Sequence, residues 1–261
     1  MLSFASICPH PPLIIPEIGK ENLRVVEKTV EAMKKLNEKI LKVAPEVIII
    51  VSPHGLILPD VFTLNLSPKY LGNFEAFGDF TTKLEFKGDL ELAYKIRESI
   101  SSSLPINLIT EPELDHGTLV PLYYLTKQLK NFSILPMTYS LLDYETHYNF
   151  GRKLKEIFLS SNKKIAFIAS GDLSHRLTFD APAGYSPQGR VFDDQLIKFI
   201  KKRAIKKIIN LDKNLIEEAG ECGLRSILIL LGVLHEINYR LEILSYEGPF
   251  GVGYLVANFK L

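Results

Sequence analysis

The chain is poor in cysteine, methionine and tryptophan. Its 261 residues include two cysteines, three methionines and no tryptophan. Two cysteines cannot build the disulfide framework of a small secreted domain, so they favour a reducing compartment such as the cytoplasm. The scarcity of methionine and tryptophan beside plentiful Lys, Ile and Glu suits a thermophilic source, and an AT-rich genome explains it equally well.

The sequence also lacks a surplus of charge and any long apolar run. With 31 basic and 30 acidic residues the net charge is +1, which gives no electrostatic reason to expect nucleic acid or an anionic membrane as a partner. No apolar stretch approaches the roughly 20 residues of a membrane span, and the first residues lack the basic start of a signal peptide. We therefore expect a cytoplasmic protein without a nucleic-acid or membrane partner.

The periodicity of apolar residues predicts an α/β protein. Continuous apolar, β-branched runs at 47–51 and 165–170 are typical of strands buried on both faces, and helical spacing over 22–43 predicts a helix between strands. The last two strand patterns, 240–246 and 252–259, alternate like an antiparallel pair. No repeat or linker interrupts the chain. We predict one three-layer domain over 1–261, with a central mixed sheet flanked by helices.

Three further segments bear on a functional site. Residues 176–189 are rich in proline and glycine and predict a long irregular loop, a kind of segment that is often functional. Residues 192–209 predict a helix in one or two pieces, and residues 219–234 predict a single apolar helix. Residues 61–87 read as short strands joined by turns and a loop.

Four of the six histidines occur where the predicted strands run into loops or where a helix begins: His10, His54, His116 and His175. His10 and His54 each follow a proline at the end of an apolar strand, which directs them into the crevice beyond the strand ends, where α/β proteins bind ligands. Imidazole is the usual ligand of first-row transition metals. His116 and His175 suit general acid–base chemistry, since imidazole titrates near neutral pH. The pattern predicts a metal site with acid–base helpers.

A fifth segment, 217–223, offers carboxylates and a thiol at the start of the predicted late helix. Negative charge is favoured at a helix N-terminus in any protein, so Glu217, Glu218 and Glu221 also have a purely structural interpretation. Cys222 is a soft ligand that can compete for the metal, or a small buried apolar residue.

Ser174, next to His175 and near Asp172, raises the question of a hydrolase. No nucleophile elbow of the Gly-x-Ser-x-Gly type accompanies it, and adjacent Ser and His side chains usually point apart. The remaining histidines, His147 and His235, fall within helical patterns and are interpreted as structural.

Taken in order, these motifs resemble the catalytic subunit of class III extradiol ring-cleavage dioxygenases, the protocatechuate 4,5-dioxygenase large-subunit type. The chain is most similar to the stand-alone branch related to Memo proteins. The resemblance covers nearly the whole chain. It rests on Pro9-His10-Pro11, Ser52-Pro53-His54-Gly55, Asp115-His116-Gly117-Thr118, the segments 171–177 and 181–185, Glu221-Cys222-Gly223 and the glycine-rich segment 248–254.

The resemblance implies roles for individual residues. His10 and His54 match the two iron ligands, and the third ligand, a glutamate, falls at Glu221, with Glu218 as an alternate. Cys222 matches a cysteine found at this site in Memo-like proteins, and is a second alternate. His175 matches the acid–base histidine and His116 a second-sphere histidine. Asp172, Ser174 and Tyr185, from the same segments, are the candidate substrate-binding residues.

The implied activity is cleavage of a catechol or related small aromatic substrate by O2, beside the diol, with Fe(II) as cofactor. Zinc can replace iron in the purified protein. Two other functions stay open: a non-catalytic or redox-regulatory Memo-like metal protein with Cys222 as ligand, and a zinc hydrolase. Ring-cleaving relatives often need a small helical partner subunit, which this chain does not encode. Members of the family often form dimers or larger homo-oligomers, so self-association is anticipated.

Overall fold

An eight-stranded mixed sheet runs through the centre of the protein, and a separate two-stranded sheet lies beside it. The computed structural model describes residues 1–261. The strands are β1 (Leu2–Cys8), β2 (Val47–Ser52), β3 (Phe62–Asn65), β4 (Lys69–Phe74), β5 (Asp79–Lys87), β6 (Ile106–Ile109), β7 (Ser133–Thr138), β8 (Ile165–Ser170), β9 (Arg240–Glu247) and β10 (Tyr254–Lys260). The order in the large sheet is β6-β3-β7-β2-β8-β1-β10-β9, and β4 pairs with β5.

Helices cover both faces of the large sheet. They are α1 (Pro16–Gly19), α2 (Glu27–Val43), α3 (Leu90–Ile100), α4 (His116–Leu125), α5 (Tyr144–Leu159), α6 (Pro187–Lys201), α7 (Ile205–Ile209), α8 (Lys213–Ala219) and α9 (Leu224–Val233). Short 3₁₀ turns occur at Pro12–Ile14, Lys20–Arg24 and Glu75–Phe77. No helix combines the length and apolar composition needed to cross a bilayer.

The central strands are buried on both sides because their side chains alternate between two cores. In β2, Val47 and Ile49 belong to the core shared with α5 and α9, whereas Ile48 and Ile50 belong to the core shared with α2 and α4. This alternation explains why the sequence of β2 is apolar without interruption. The predicted single α/β domain, a mixed sheet between layers of helices, is confirmed.

Four neighbouring strands, β7, β2, β8 and β1, run parallel to one another. Their carboxyl ends therefore lie at one edge of the sheet, and the segments that follow them meet there. His10 comes two residues after β1, His54 two residues after β2, and Asp172 two residues after β8. The sheet topology thus brings together segments that are remote in sequence.

The predicted helix 219–234 is wrong in its first turn. Helix α8 ends at Ala219, Gly220 adopts a left-handed conformation with φ +60°, and α9 begins only at Leu224. Glycine tolerates this conformation without strain and commonly ends helices. Glu221 and Cys222 consequently lie in a turn between two helices, and Glu217 and Glu218 lie near the end of α8.

Two other segments differ from expectation. The irregular loop ends earlier than predicted, because Ser186 caps α6 through the backbone N–H of Gln188 and Pro187 occupies the first helical position. The helical pattern at 192–209 is split between α6 and α7. The loop expected between the strands of 61–87 contains β4, which pairs with β5.

Candidate metal centre

His10 is buried, and its hydrogen bonding fixes one tautomer of its ring. Its Nδ1 lies 3.0 Å from Oγ of Ser170. The single hydroxyl proton of Ser170 is donated to the carbonyl oxygen of Gly117. Ser170 can therefore only accept from His10, so Nδ1 carries the proton and Nε2 carries a lone pair. This is the arrangement in which a second residue orients a ligating imidazole.

The Nε2 atom of His10 faces two further groups that can bind a metal. His54 Nε2 lies 3.0 Å away and Cys222 Sγ lies 3.7 Å away. One ligand atom from each of these three side chains lies within 4.8 Å of the others. The structure thus brings His10 and His54 together, and the residue that joins them is Cys222.

A close contact between two glycines positions Cys222. A Cβ atom on Gly171 would lie 2.2 Å from Cα of Gly223, so neither backbone could approach the other if Gly171 carried a side chain. The contact brings the turn after α8 against the segment after β8. There the backbone N–H of Asp172 donates to Cys222 Sγ at 3.3 Å.

Burial governs the protonation of this group. It lowers the pKa of His10, and it lowers that of His54 to about 4, so both imidazoles are neutral, which is their ligating form. Burial, with the nearby Asp172 carboxylate, raises the pKa of the Cys222 thiol. A bound cation reverses that effect, since a coordinating thiol is deprotonated.

The three side chains fit a transition-metal ion. Two imidazole nitrogens each about 2.1 Å from one ion lie roughly 3.0 Å apart at a right angle and roughly 3.4 Å apart at a tetrahedral angle, and the two Nε2 atoms lie 3.0 Å apart. Two nitrogens and one sulfur are a donor set that suits zinc, iron or copper rather than magnesium or calcium.

The two glutamates that the sequence offered as ligands have other partners. Glu221 Oε2 accepts from the backbone N–H of Leu224 at 2.5 Å, at the start of α9. Burial raises the pKa of Glu221 to about 7. Glu218 accepts from Oγ of Ser186 at 3.0 Å and lies 3.7 Å from the guanidinium of Arg176. Neither carboxylate belongs to the group formed by His10, His54 and Cys222.

His116 and His175 lie close to this group. The ring of His116 is 4.0 Å from that of His54, centroid to centroid, and burial lowers its pKa. His175 lies in the segment after β8, where its backbone N–H donates to Ala219 O at 3.0 Å. Its buried Nδ1 has no hydrogen-bond partner. Burial lowers the pKa of His175, with a smaller contribution from His54.

The three predicted substrate-binding residues are placed very differently. Asp172 is buried beside His10: its Oδ1 accepts from the His10 backbone N–H at 3.1 Å, and burial raises its pKa to about 7. Ser174 is fully buried, and its hydroxyl donates to Ala219 O and accepts from the Arg176 backbone N–H, so it is not available as a nucleophile. Tyr185 is 48% exposed in the loop before α6.

The remaining histidines lie elsewhere. His147 is fully buried on α5, with its ring nitrogens 2.7 and 2.9 Å from backbone oxygens of Asp143 and Ser140. His235 contacts the Tyr148 hydroxyl at 2.8 Å. Neither belongs to the group formed by His10, His54 and Cys222.

A cavity of about 360 Å³ opens beside His54. The sequence did not identify its walls, which come largely from β3, β7 and the segment between β6 and α4. They include Thr63, Asn65, Glu111, Glu113, Met137 and Thr138. No local motif marks these residues; they converge because β3 pairs with both β6 and β7, and that sheet order is not visible in the sequence. The cavity provides space for a small ligand next to a candidate metal ligand.

Comparison with known proteins identifies a family for this chain. Residues 4–257 match the family described as the catalytic LigB subunit of aromatic ring-opening dioxygenase. The chain belongs to this family. Membership makes a ring-cleaving dioxygenase activity the family expectation and is consistent with a metal-dependent site.

The relatives differ in how much they share with this chain. Protein CA_C1420 of Clostridium acetobutylicum is 39% identical over 258 residues, which is 95% of this chain but only 55% of that protein. The chain therefore spans about half the length of this relative. The 3,4-dihydroxyphenylacetate 2,3-dioxygenase of Escherichia coli is 21% identical over 248 residues, 88% of each chain.

A solved structure shares the fold. The uncharacterized protein JW3007 from Escherichia coli K12 superposes with a TM-score of 0.71 at 17% sequence identity. The match covers 98% of this chain and 99% of that one. At this identity the likeness concerns the fold alone.

Proposed function

We propose that the protein is a non-haem, Fe(II)-dependent dioxygenase that opens the ring of a catechol or related aromatic diol beside its hydroxyl groups. The observation that carries the proposal is the pair of Nε2 atoms 3.0 Å apart, one of them fixed as a lone pair by Ser170, at the edge of a cavity. The family match supports the ring-opening chemistry.

His10 and His54 are the proposed nitrogen ligands. Cys222 is the third ligand that the geometry favours, because its sulfur lies 3.7 Å from His10 Nε2. Glu221, the ligand that the family resemblance implied, would have to release the backbone N–H of Leu224 to reach the same ion. Glu218 would have to leave Ser186 and Arg176.

When bound, iron would relay electrons from the diol to O2 and supply a positive charge that attracts the diol. The chain supplies the proton chemistry. His175 is a neutral imidazole with an unpaired buried Nδ1, so it can accept a proton from a catechol hydroxyl and return it later. His116, whose ring lies beside that of His54 at a tilted angle, would help to orient that ligand, and Asp172 accepts from the backbone N–H of His10. Both atoms of O2 would enter the product as the ring bond next to the diol breaks.

Oxygen uptake tests the proposal. Protein loaded with Fe(II) under anaerobic conditions is mixed with aerated buffer and a panel of catechols. We expect O2 consumption together with a yellow ring-opened product, and loss of both in His175→Ala. If no catechol in a broad panel is turned over by protein that retains iron, the proposal is wrong.

The position of Cys222 favours a second candidate, a metal-binding protein with a redox-regulatory role and no ring cleavage. A thiolate ligand is soft and oxidisable, unlike the carboxylate that ring-cleaving relatives use. Metal content after replacement of each residue separates the alternatives. Loss of metal in Cys222→Ser with retention in Glu221→Gln supports the cysteine ligand, and the reverse result supports the glutamate.

A further inference from the structure

The cavity beside His54 is lined by charged groups of one sign, which is negative. Fourteen residues line it, and the charged side chains among them are the carboxylates of Glu111, Glu113 and Asp115; there is no lysine or arginine. A ligand that reaches from His54 into this space meets negative charge without any fixed cation to balance it.

Asp115 uses its carboxylate within the protein. It accepts from the hydroxyl of Ser52 at 2.5 Å and from the backbone N–H and hydroxyl of Thr118 at 2.9 and 2.8 Å, and so caps α4. These donors satisfy its oxygens. The charge that is available to a ligand therefore belongs to Glu111 and Glu113.

Glu111 and Glu113 are held in place by their backbones while their carboxylates have no ion-pair or hydrogen-bond partner. The side-chain amide of Asn65 donates to Glu111 O at 2.7 Å and accepts from Glu111 N at 3.0 Å. The residues on either side of Glu113 are hydrogen-bonded to β4: the backbone N–H of Leu71 donates to Pro112 O, and the backbone N–H of Leu114 donates to Leu71 O. The two carboxylates are thus exposed and unpaired, on a backbone that is held at the cavity wall.

A second observation also points to a polar ligand. Thr63 lines the same cavity, is 1% exposed, and has a hydroxyl oxygen without any hydrogen-bond partner. A buried hydroxyl without a partner is unfavourable, and most such groups in proteins are paired. A hydrogen-bonding group of a ligand in the cavity would satisfy it.

We propose that the natural substrate class of this site is an aromatic diol whose ring carries an aminoalkyl side chain, protonated at neutral pH, rather than an aromatic carboxylic acid. This inference rests on the proposed function, because it places the diol at the metal and the substituent in the cavity. An ammonium group near Glu111 and Glu113 gains Coulomb attraction, whereas a carboxylate there meets like charge and no counter-ion. The preference is opposite to that implied by the name of the Escherichia coli relative, whose substrate bears a carboxylate.

Equilibrium binding to zinc-loaded protein tests the inference without turnover, since zinc has no redox chemistry. Three probes are compared by titration calorimetry: catechol, 3,4-dihydroxyphenylacetate and 3,4-dihydroxyphenylethylamine. We expect the amine to bind about tenfold more tightly than the acid at low ionic strength, and the difference to shrink at high salt. The double variant Glu111→Gln/Glu113→Gln should remove most of the preference. Glu38→Gln, an exposed residue of α2 that does not line the cavity, is the control and should keep it.

Each outcome separates this inference from the proposed function. If catechol itself does not bind, the proposed function is overturned and the inference with it. If catechol binds but the acid binds as tightly as the amine, only the inference is overturned. The same holds if the preference survives in a double variant whose thermal unfolding matches that of the wild type.

Discussion

The Nε2 atoms of His10 and His54 lie 3.0 Å apart, although 44 positions separate the two residues in the sequence. Since Ser170 fixes the lone pair on His10 Nε2, the proton between the rings belongs to His54. A cation that binds both Nε2 atoms must displace that proton, and because His54 is neutral, with its pKa lowered by burial to about 4, its single ring proton must then lie on Nδ1. Metal binding is therefore coupled to a tautomer change at His54.

Ser170→Ala should weaken metal binding. Without the hydroxyl, His10 Nδ1 loses its partner and Nε2 is no longer fixed as the lone pair. Loss of such a supporting residue typically lowers metal affinity 10- to 100-fold, and we expect about that decrease in a zinc competition titration. Ser160→Ala, on the surface after α5, is the matched control. Equal affinities in the two variants would contradict the role assigned to Ser170.

Gly171→Ala should displace Cys222. The added methyl group would meet Gly223, so the turn after α8 must move away from the segment after β8, at a cost of about 1–3 kcal/mol in the free energy of unfolding. We expect lower metal affinity together with lower thermal stability. Gly184→Ala is the comparison: that residue has φ +75° and open space around it, so only the backbone is strained. Metal affinity that falls equally in both variants would argue against the close contact as the cause.

Metal loading should stabilise the protein. An ion that binds only the native state raises the free energy of unfolding by about 2.7 kcal/mol at a hundredfold excess over its dissociation constant. We expect the melting temperature to rise on addition of Zn(II) or anaerobic Fe(II) and to return after chelation. His54→Ala should abolish the rise. A melting temperature that rises equally in this variant would place the binding elsewhere.

Asp193 should contribute stability that is lost between about pH 4 and pH 6. This carboxyl is fully buried, accepts from Ser174 N–H and from the hydroxyl of Tyr246, and burial raises its pKa from 3.8 to about 6. The native state holds the proton more tightly than the unfolded chain, so stabilisation present at low pH is lost as the pH rises through that interval. The loss is on the order of 2–3 kcal/mol.

Asp193→Asn isolates this effect. The amide can accept from Ser174 and donate to the hydroxyl of Tyr246, and it does not titrate. Urea unfolding of both proteins should show that the free energy of unfolding of the variant increases relative to that of the wild type as the pH rises from 4 to 7. Parallel curves would show that Asp193 is not the residue responsible.

The sequence was sufficient for the fold class because buried strands are recognisable from their continuous apolar runs. The runs that became β2 and β8 are apolar throughout, as strands covered on both faces must be, and prolines after β1 and β2 mark where the histidine-bearing loops begin. The parallel order of these strands then brings His10 and His54 to one edge. The apolar runs and the prolines can be recognised from residues that are adjacent in the sequence.

The parts that sequence reasoning did not find depend on remote neighbours. The apolar pattern continues through 219–234, so the left-handed Gly220 that ends α8 is hidden within it, and with it the turn that presents Cys222. Thr63 and Glu111 reach the same cavity because of the order of strands β6, β3 and β7. Neither the order of the strands in the sheet nor the contact between Gly171 and Gly223 can be predicted from the spacing of apolar and polar residues.

The three grouped side chains also have a topological consequence. His10 is 44 positions from His54 and 212 positions from Cys222, so an ion held by all three would tie points near the two ends of the chain to one another. Such a tether acts as a cross-link that removes conformational freedom from the unfolded polypeptide, and longer closed loops remove more of it. Resistance to proteases would then depend on the ion as well as on the hydrophobic cores.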